Sequence, residues 1–201
     1  MKKFDNGLAS FGIFSVWTLL AGCGGGPIVI PDSYAVYNSK DGTFQCEYPE
    51  GWEAKGGGKN GPVWAKFSSG GALVHVKASL VGSLANDAMG GTSLDSDLAA
   101  PQFEPVHFIH VAFAEDAQRE FDQYTEVAGG PVVLKCSLGP ARVSEFTAAT
   151  SFGSQLHGYR ATMLGHDKSV TVYCTCPEDD WKTAQPIYQA ILATFARGSR
   201  E

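Results

Sequence analysis

Apolar and polar residues alternate with a period of two over several short stretches of this chain, and with a period near 3.6 over two longer ones. The pattern predicts a protein of antiparallel strands with two amphipathic helical segments. Residues 34–37 and 43–48 read as short strands separated by the turn Asn38-Ser39-Lys40-Asp41-Gly42. In the second of them Phe44, Cys46 and Tyr48 share one face and Gln45 and Glu47 the other, which marks a half-buried strand. Pro49 ends it, Gly51 turns the chain, and Trp52 is placed to cap an apolar layer. The glycine-rich stretch 56–61 reads as a loop, and 63–68 with 72–80 reads as a hairpin about Gly70-Gly71.

Residues 81–104 are small, polar and aperiodic, and read equally as a binding lip or as a disordered segment. Pro105 then suits a first helical turn, and Val106, Ile109, Phe113, Ala117, Phe121 and Tyr124 recur at helical spacing, predicting one helix through them. The many β-formers in 106–113 leave its start open. Further on, 141–147, 158–164 and 169–176 read as strands, the last two joined by the turn Gly165-His166-Asp167-Lys168. Pro177 stops the last strand, and Glu178, Asp179 and Asp180 are expected in the first turn of a closing helix, where negative charge suits the positive end of the dipole. Trp181, Ala184, Ile187, Tyr188, Ile191, Leu192 and Phe195 form its apolar stripe, and Pro186 is expected to kink or delay it.

The N-terminus follows another pattern. Lys2 and Lys3 precede an apolar run over residues 8–20, with Asp5 weakening the positive bias, and the run is too short to cross the roughly 30 Å hydrocarbon core comfortably as a helix. It closes with Leu20-Ala21-Gly22-Cys23, which resembles the cleavage box of bacterial lipoproteins. That resemblance implies that residues 1–22 are a signal peptide and that Cys23 carries the lipid, palmitate included, as the first mature residue. Several acyl chains, at about 0.8 kcal/mol per buried methylene, would hold a protein on a membrane without a spanning segment. Gly24, Gly25, Gly26, Pro27 and Pro31 make 23–32 a lipidated cysteine and flexible tether. Gly24 is not the acidic residue that resembles an inner-membrane retention signal, so the outer membrane is the expected destination in a two-membrane cell, with the domain in the periplasm or at the cell surface.

Charge narrows the partners. Removing Lys2, Lys3 and Asp5 with the signal leaves 179 residues with 13 basic and 20 acidic side chains, a formal charge of −7. An acidic domain of this size has room for a core, repels nucleic acid and gains nothing from anionic lipid, so attachment would rest on the acyl chains.

The element order, together with Phe44-Gln45-Cys46-Glu47-Tyr48-Pro49-Glu50-Gly51-Trp52 and the closing strand, Pro177, Trp181 and Ile191-Leu192-Ala193-Thr194-Phe195, resembles the PsbP-like family. The resemblance implies one globular domain over 33–197, of α+β class, with an antiparallel β-sheet flanked by helices on both faces in an α/β/α sandwich. The family includes extrinsic photosystem proteins, a Ran-binding protein and bacterial lipoproteins, so the fold leaves function open. No metal or binding residue of the family matches a motif here.

Chemical motifs are sparse. Cys46, Cys136, Cys174 and Cys176 are candidate disulfide cysteines in an exported chain, with three complete pairings open, though Cys174 and Cys176 lie on one strand face and suit each other poorly. Unpaired burial of Cys46 and Cys174 is the other reading. His107 and His110 are three apart but lack further ligands, and His110 falls in the apolar stripe, so both read as structural histidines. Asp95 and Asp97 lack the rest of a calcium loop, Gly58-Lys59-Asn60 is not a phosphate loop, and Glu115-Asp116 and Glu178-Asp179-Asp180 read as solvated helix faces. No cofactor or metal is expected. Two function classes follow: a non-catalytic accessory or binding domain that meets a protein or small ligand at the membrane surface, and, as the alternative, a small enzyme assembled around Glu145, His157 and Arg160.

Overall fold

The computed structural model describes residues 26–58, 61–79, 104–165 and 168–199. The signal peptide, Cys23, residues 81–103 with Asp95 and Asp97, and the turn residues His166 and Asp167 lie outside them.

Strand β1 (Tyr34–Asn38) pairs antiparallel with β2 (Gln45–Pro49), Tyr37 facing Cys46. In the turn between them the Asp41 carboxylate accepts from the Thr43 backbone N–H at 3.0 Å and from the Ser39 hydroxyl at 3.1 Å. The main sheet follows with β3 (Glu53–Gly57), β4 (Val63–Ser69), β5 (Ala72–Ser79), β6 (Asp122–Glu126), β7 (Val132–Val133), β8 (Ala141–Ala149), β9 (Gln155–Leu164) and β10 (Ser169–Pro177). Its order is β3-β4-β5-β10-β9-β8-β6, with β7 also on β8, and every pairing is antiparallel. Helices α1 (Pro105–Ala112) and α2 (Ala114–Glu120) cover one face over β8, β9 and β6, and α3 (Trp181–Ala193) covers the other together with the β1-β2 hairpin. This is the α+β sandwich expected from the sequence.

The period-two pattern sorts the core into two layers. Val74, Val76, Ala161, Met163, Val170, Val172 and Cys174 point toward α3, where Ile187, Tyr188, Ile191 and Leu192 meet them together with Phe195 just beyond the helix, Phe44 just ahead of β2 and Phe67 of β4. On the opposite face Phe146, Ala148 and Tyr173 meet Ala117, Phe121 and Tyr124, and Leu164 meets Val106 and Ile109.

Four expectations need correction. The helix expected to run through Tyr124 breaks at Phe113 and ends at Glu120; Phe121 is already extended, and Tyr124 belongs to β6. A register shift between Asp122 and Thr125, with Gln123 at φ 53°, lets Phe121 and Tyr124 both reach Phe146, at ring separations of 5.5 and 4.8 Å. In a regular strand, residues three apart would face opposite sides, so this bulge imitates a helical repeat in the sequence. Secondly, part of the expected 56–61 loop is strand: β3 runs through Gly56 and Gly57, where a β-carbon would meet the Tyr37 hydroxyl and the Trp64 indole at 1.8 and 2.6 Å, so two large side chains fill the space the glycines vacate. Thirdly, Glu178–Asp180 form a 3-10 turn ahead of α3 rather than its first turn. Fourthly, Pro186 sits inside α3 without delaying its start, and the buried stripe continues on both sides of it.

Among the described residues no helix is long and apolar enough to cross a membrane.

Candidate functional site

The three residues expected to form an enzyme site do not share one. Successive β9 side chains alternate across the sheet, so His157 faces the α3 side and Arg160 the α1 side. Glu145, directly across the β8-β9 ladder from Tyr159, is on the His157 side.

On the α3 side His157 is held at both nitrogens. Its Nε2 lies 2.8 Å from Glu145 Oε1, its Nδ1 lies 3.0 Å from Glu178 Oε2, and its ring stacks on Trp181 at 4.0 Å with a 7° interplanar angle. The two carboxylates therefore flank the ring at its two nitrogens while Trp181 covers its face. The triplet ties β8, β9 and the 3-10 turn together. Sequence reading took Glu178 as part of a solvated face; only the return of β10 beside β9 brings it to His157.

On the α1 side the guanidinium of Arg160 is wholly buried. It donates from Nε to the Tyr124 hydroxyl at 2.9 Å and from Nη1 to the His110 carbonyl at 2.6 Å, and it forms an ion pair with Glu126. The Tyr124 hydroxyl donates to Glu126 at 2.8 Å. Burial raises the Glu126 carboxyl, but the Arg160 guanidinium together with hydrogen bonds from Tyr124 and Ser144 outweighs it and the net shift is downward. His110 spans Thr162 Oγ1 and Ser144 Oγ, both at 2.9 Å from its ring nitrogens, so one nitrogen donates and the other accepts. Burial, followed by the charge of Arg160, pushes it down to about 3, which keeps the ring neutral. This answers the metal question for His110, whose nitrogens are both engaged, while His107 packs its ring edge-on to Phe108. Among the described residues no group of three or more His, Cys, Asp or Glu side chains is placed to hold a metal ion. Arg142 is buried too, and pairs with Glu104 at 3.2 Å.

The candidate cysteines are free thiols, without the bridge the sequence favoured. Cys46, Cys174 and Cys176 are buried and Cys136 is partly so. Burial pushes Cys46 up to about 12 and Cys176 up to about 11, and raises Cys174 well above the usual thiol range, so at neutral pH these sulfurs are protonated and poor nucleophiles.

A groove that sequence reading missed opens between α2 and the sheet. Its volume is about 380 Å³, within the usual range for small-ligand sites, and its walls are Lys77 and Ser79 of β5, Thr171 and Tyr173 of β10, Phe113, and Asp116 and Glu120 of α2. Lys77 Nζ contacts Glu120 at 2.6 Å and lies 5.2 Å above the Tyr173 ring. Tyr173 is 4% exposed, and among the described residues its hydroxyl makes no hydrogen bond. Burial, then the charge of Glu120, pushes that hydroxyl up to about 12, so it is a donor at neutral pH. The lining residues are nearly a hundred positions apart along the chain, and the only local hint is the alternation that sets Lys77 and Tyr173 opposite the core-facing valines.

Comparison with known proteins shows the fold and nothing finer. No family model matches the chain, and no curated protein matches it. The solution structure of cyanobacterial PsbP from Synechocystis superposes with a TM-score of 0.54 at 16% identity, covering 89% of this chain and 98% of that one. Looser likenesses include the Saccharomyces cerevisiae Ran-binding protein Mog1p, with a TM-score of 0.44 at 9% identity over 82% of this chain and 95% of that one. Another is LpqN, involved in cell envelope biogenesis of Mycobacterium tuberculosis, with a TM-score of 0.37 at 10% identity over 87% of this chain and 86% of that one. The PsbP likeness shows an α+β, PsbP-like architecture.

Proposed function

We propose that this chain is an exported lipoprotein, held on a membrane by acyl chains on Cys23, whose domain is a non-catalytic binding module. The observation that carries the binding reading is the groove under α2, with a nine-tenths-buried tyrosine whose hydroxyl has no partner among the described residues. Among the described residues no fully buried side-chain polar atom lacks a partner, so this hydroxyl opens into the groove, where a ligand acceptor can take its proton in place of water.

The groove's charges indicate the ligand. Lys77 and Glu120 already neutralise each other, so a fully charged ligand would have to break that pair. A neutral ligand with both hydrogen-bond donors and acceptors, such as a hydroxyl- or amide-bearing small molecule, could use Tyr173, Thr171 and Asp116 without doing so and could rest its apolar side on Phe113. Against the enzyme alternative stand the separation of Arg160 from Glu145 and His157 by the sheet, and the engagement of both nitrogens of His110.

The test is a thermal-shift screen of the protein against neutral saccharides, amides and short uncharged peptides, repeated with Tyr173→Phe. A ligand at a hundred times its dissociation constant would add about 2.7 kcal/mol of stability. The reading requires a ligand that shifts the parent and shifts Tyr173→Phe less. It fails if hits act equally on both or if the protein turns over an ester, phosphate or peptide panel. Anchoring is read separately by incorporation of labelled palmitate, which must be lost in Cys23→Ser.

A further inference from the structure

Three exposed apolar side chains, Val29, Ile30 and Phe152, lie at the end of the fold where the chain enters it. Register places the Gly70-Gly71 turn, the end of β10 and the Thr150–Ser154 turn at one end of the main sheet, since Ser69 faces Ala72, Leu73 faces Thr175, Pro177 faces Leu156 and Ala149 faces Gln155. The entering segment, expected to be flexible tether throughout 23–32, is instead strapped to the same end over 26–29, with Ile28 buried in the core. The Val29 N–H donates to Ser69 Oγ at 3.1 Å, the Trp52 indole N–H donates to the Val29 carbonyl at 3.0 Å, and the Gly26 carbonyl lies so close to Gly70 that a β-carbon there would be 2.1 Å from it.

From this end project Ile30, 69% exposed, and Phe152, 98% exposed, with Val29 beside Ile30. Phe152 is not on a loose tip. Its turn is closed by hydrogen bonds from Thr150 N to Ser154 O at 2.9 Å, Gly153 N to Thr150 O at 2.8 Å and Ser154 N to Thr150 Oγ1 at 3.1 Å, which hold the ring outward. Two to three strand spacings, about 10–14 Å, separate the two turns across the sheet, so Ile30 and Phe152 are separate points of support rather than one cluster.

The geometry points to this end as the face that rests on the lipid bilayer, with Phe152 and Ile30 entering the interfacial layer. The inference rests on the acylation of Cys23 proposed above. Cys23 stands three residues before Gly26, a reach of at most about 11 Å, so no other part of the fold is held so close to the acyl chains. Apolar side chains at that distance from a bilayer are covered by it at no further cost of association, since the anchor has already brought them there. The surrounding carboxylates, Glu50, Asp122, Glu178, Asp179 and Asp180, would be repelled by anionic headgroups, so the fitting surface is zwitterionic lipid.

The test uses the acylated full-length product in phosphatidylcholine vesicles whose acyl chains carry bromine as a quencher, comparing Phe152→Trp with Val133→Trp. Val133, half exposed and paired with Arg142, sits toward the opposite end of the sheet. Relative to the parent, whose own tryptophans give the background, the added emission of Phe152→Trp should shift to the blue and lose intensity to the bromolipid, while that of Val133→Trp should do neither. Equal quenching of the two, or none of Phe152→Trp in protein that floats with the vesicles, overturns the orientation and leaves the anchor standing. Protein that fails to float overturns anchor and orientation together. A blue shift of Phe152→Trp that grows with protein concentration in the absence of lipid would make this end a contact between copies, and overturns the proposal as well.

Discussion

Replacing His110 with glutamine should flatten the acid dependence of stability without dismantling the polar layer beneath α1. His110 is fully buried, with both nitrogens bonded to hydroxyls, and burial with the Arg160 charge holds it at about 3; the other charged or titratable groups acting on it are Glu126, His107 and Arg142. In the unfolded chain it regains an ordinary value near 6.5. Between about pH 3 and 6.5 the unfolded state therefore binds the extra proton, so the contribution is fully present above 6.5 and is lost as pH falls through that window. Taking those limits, moving from pH 7 to pH 5 removes about 2 kcal/mol, or about 1 M from the urea midpoint at a slope near 2 kcal/mol per molar. His75, which burial and then Lys77 lower to about 4, adds its own loss in parent and variant alike, so the difference between the two isolates His110. Urea denaturation at both pH values is the assay. If parent and His110→Gln lose the same stability between pH 7 and pH 5, the buried neutral histidine is refuted, whatever the variant does at pH 7.

Glu126→Gln should destabilise the domain by about 2–3 kcal/mol at pH 7, near the lower end for breaking a buried pair because the Glu126 side chain is 26% exposed; equilibrium unfolding measures it. The Glu126 carboxyl is lowered in the fold, so its contribution is present above the unfolded value near 4.5 and is lost on further acidification; the gap between parent and variant should narrow below pH 4. Asp41→Asn removes the acceptor of Lys168 at 2.6 Å and of the Ser39 and Thr43 contacts, which together outweigh burial and hold Asp41 well below the usual carboxylate range. About 1 kcal/mol should be lost at pH 7, read as a lower melting temperature, since both partners of the ion pair stay partly solvated. Gly158→Ala places a β-carbon 2.1 Å from the Cys174 carbonyl oxygen and 3.1 Å from the Phe146 ring, so about 3 kcal/mol of overpacking should appear in calorimetry as a fall of about 6–12 °C; an unchanged melting point would refute the close packing of β9 between β10 and Phe146.

Strands with one buried face announced themselves because the pattern that builds them is local. The hairpin about Gly70-Gly71, the pairing of β9 with β10 and the stripe of α3 each depend on residues close in sequence, and each formed as expected. Where two long-range demands met, local reading failed. Phe121 and Tyr124 kept helical spacing while packing as strand, because the edge of β8 offered them Phe146 and a bulge reconciled their direction. β3 carries no alternating apolar face, and its glycines acquire a purpose only when Tyr37 and Trp64 arrive from other strands.

The candidate sites show the same division. Glu145 and His157 could be paired from sequence because β8 and β9 form a hairpin, but Arg160 could be excluded only by the direction its side chain takes from the sheet. Sequence alone determined the α+β class, the strand faces, the acidic balance and the lipoprotein-like box that the anchoring proposal rests on, because each is written in contiguous residues or in composition. Tertiary structure alone decided that His110 is neutral and engaged, that Cys46, Cys136, Cys174 and Cys176 are free thiols, that the Tyr173 hydroxyl faces a groove without a hydrogen-bond partner among the described residues, and that Phe152 projects from the same end of the sheet at which the chain enters. Those outcomes depend on which residues distant in sequence come to share one face or one end of the sheet, and strand order and register, set by the sum of the packing, fix that.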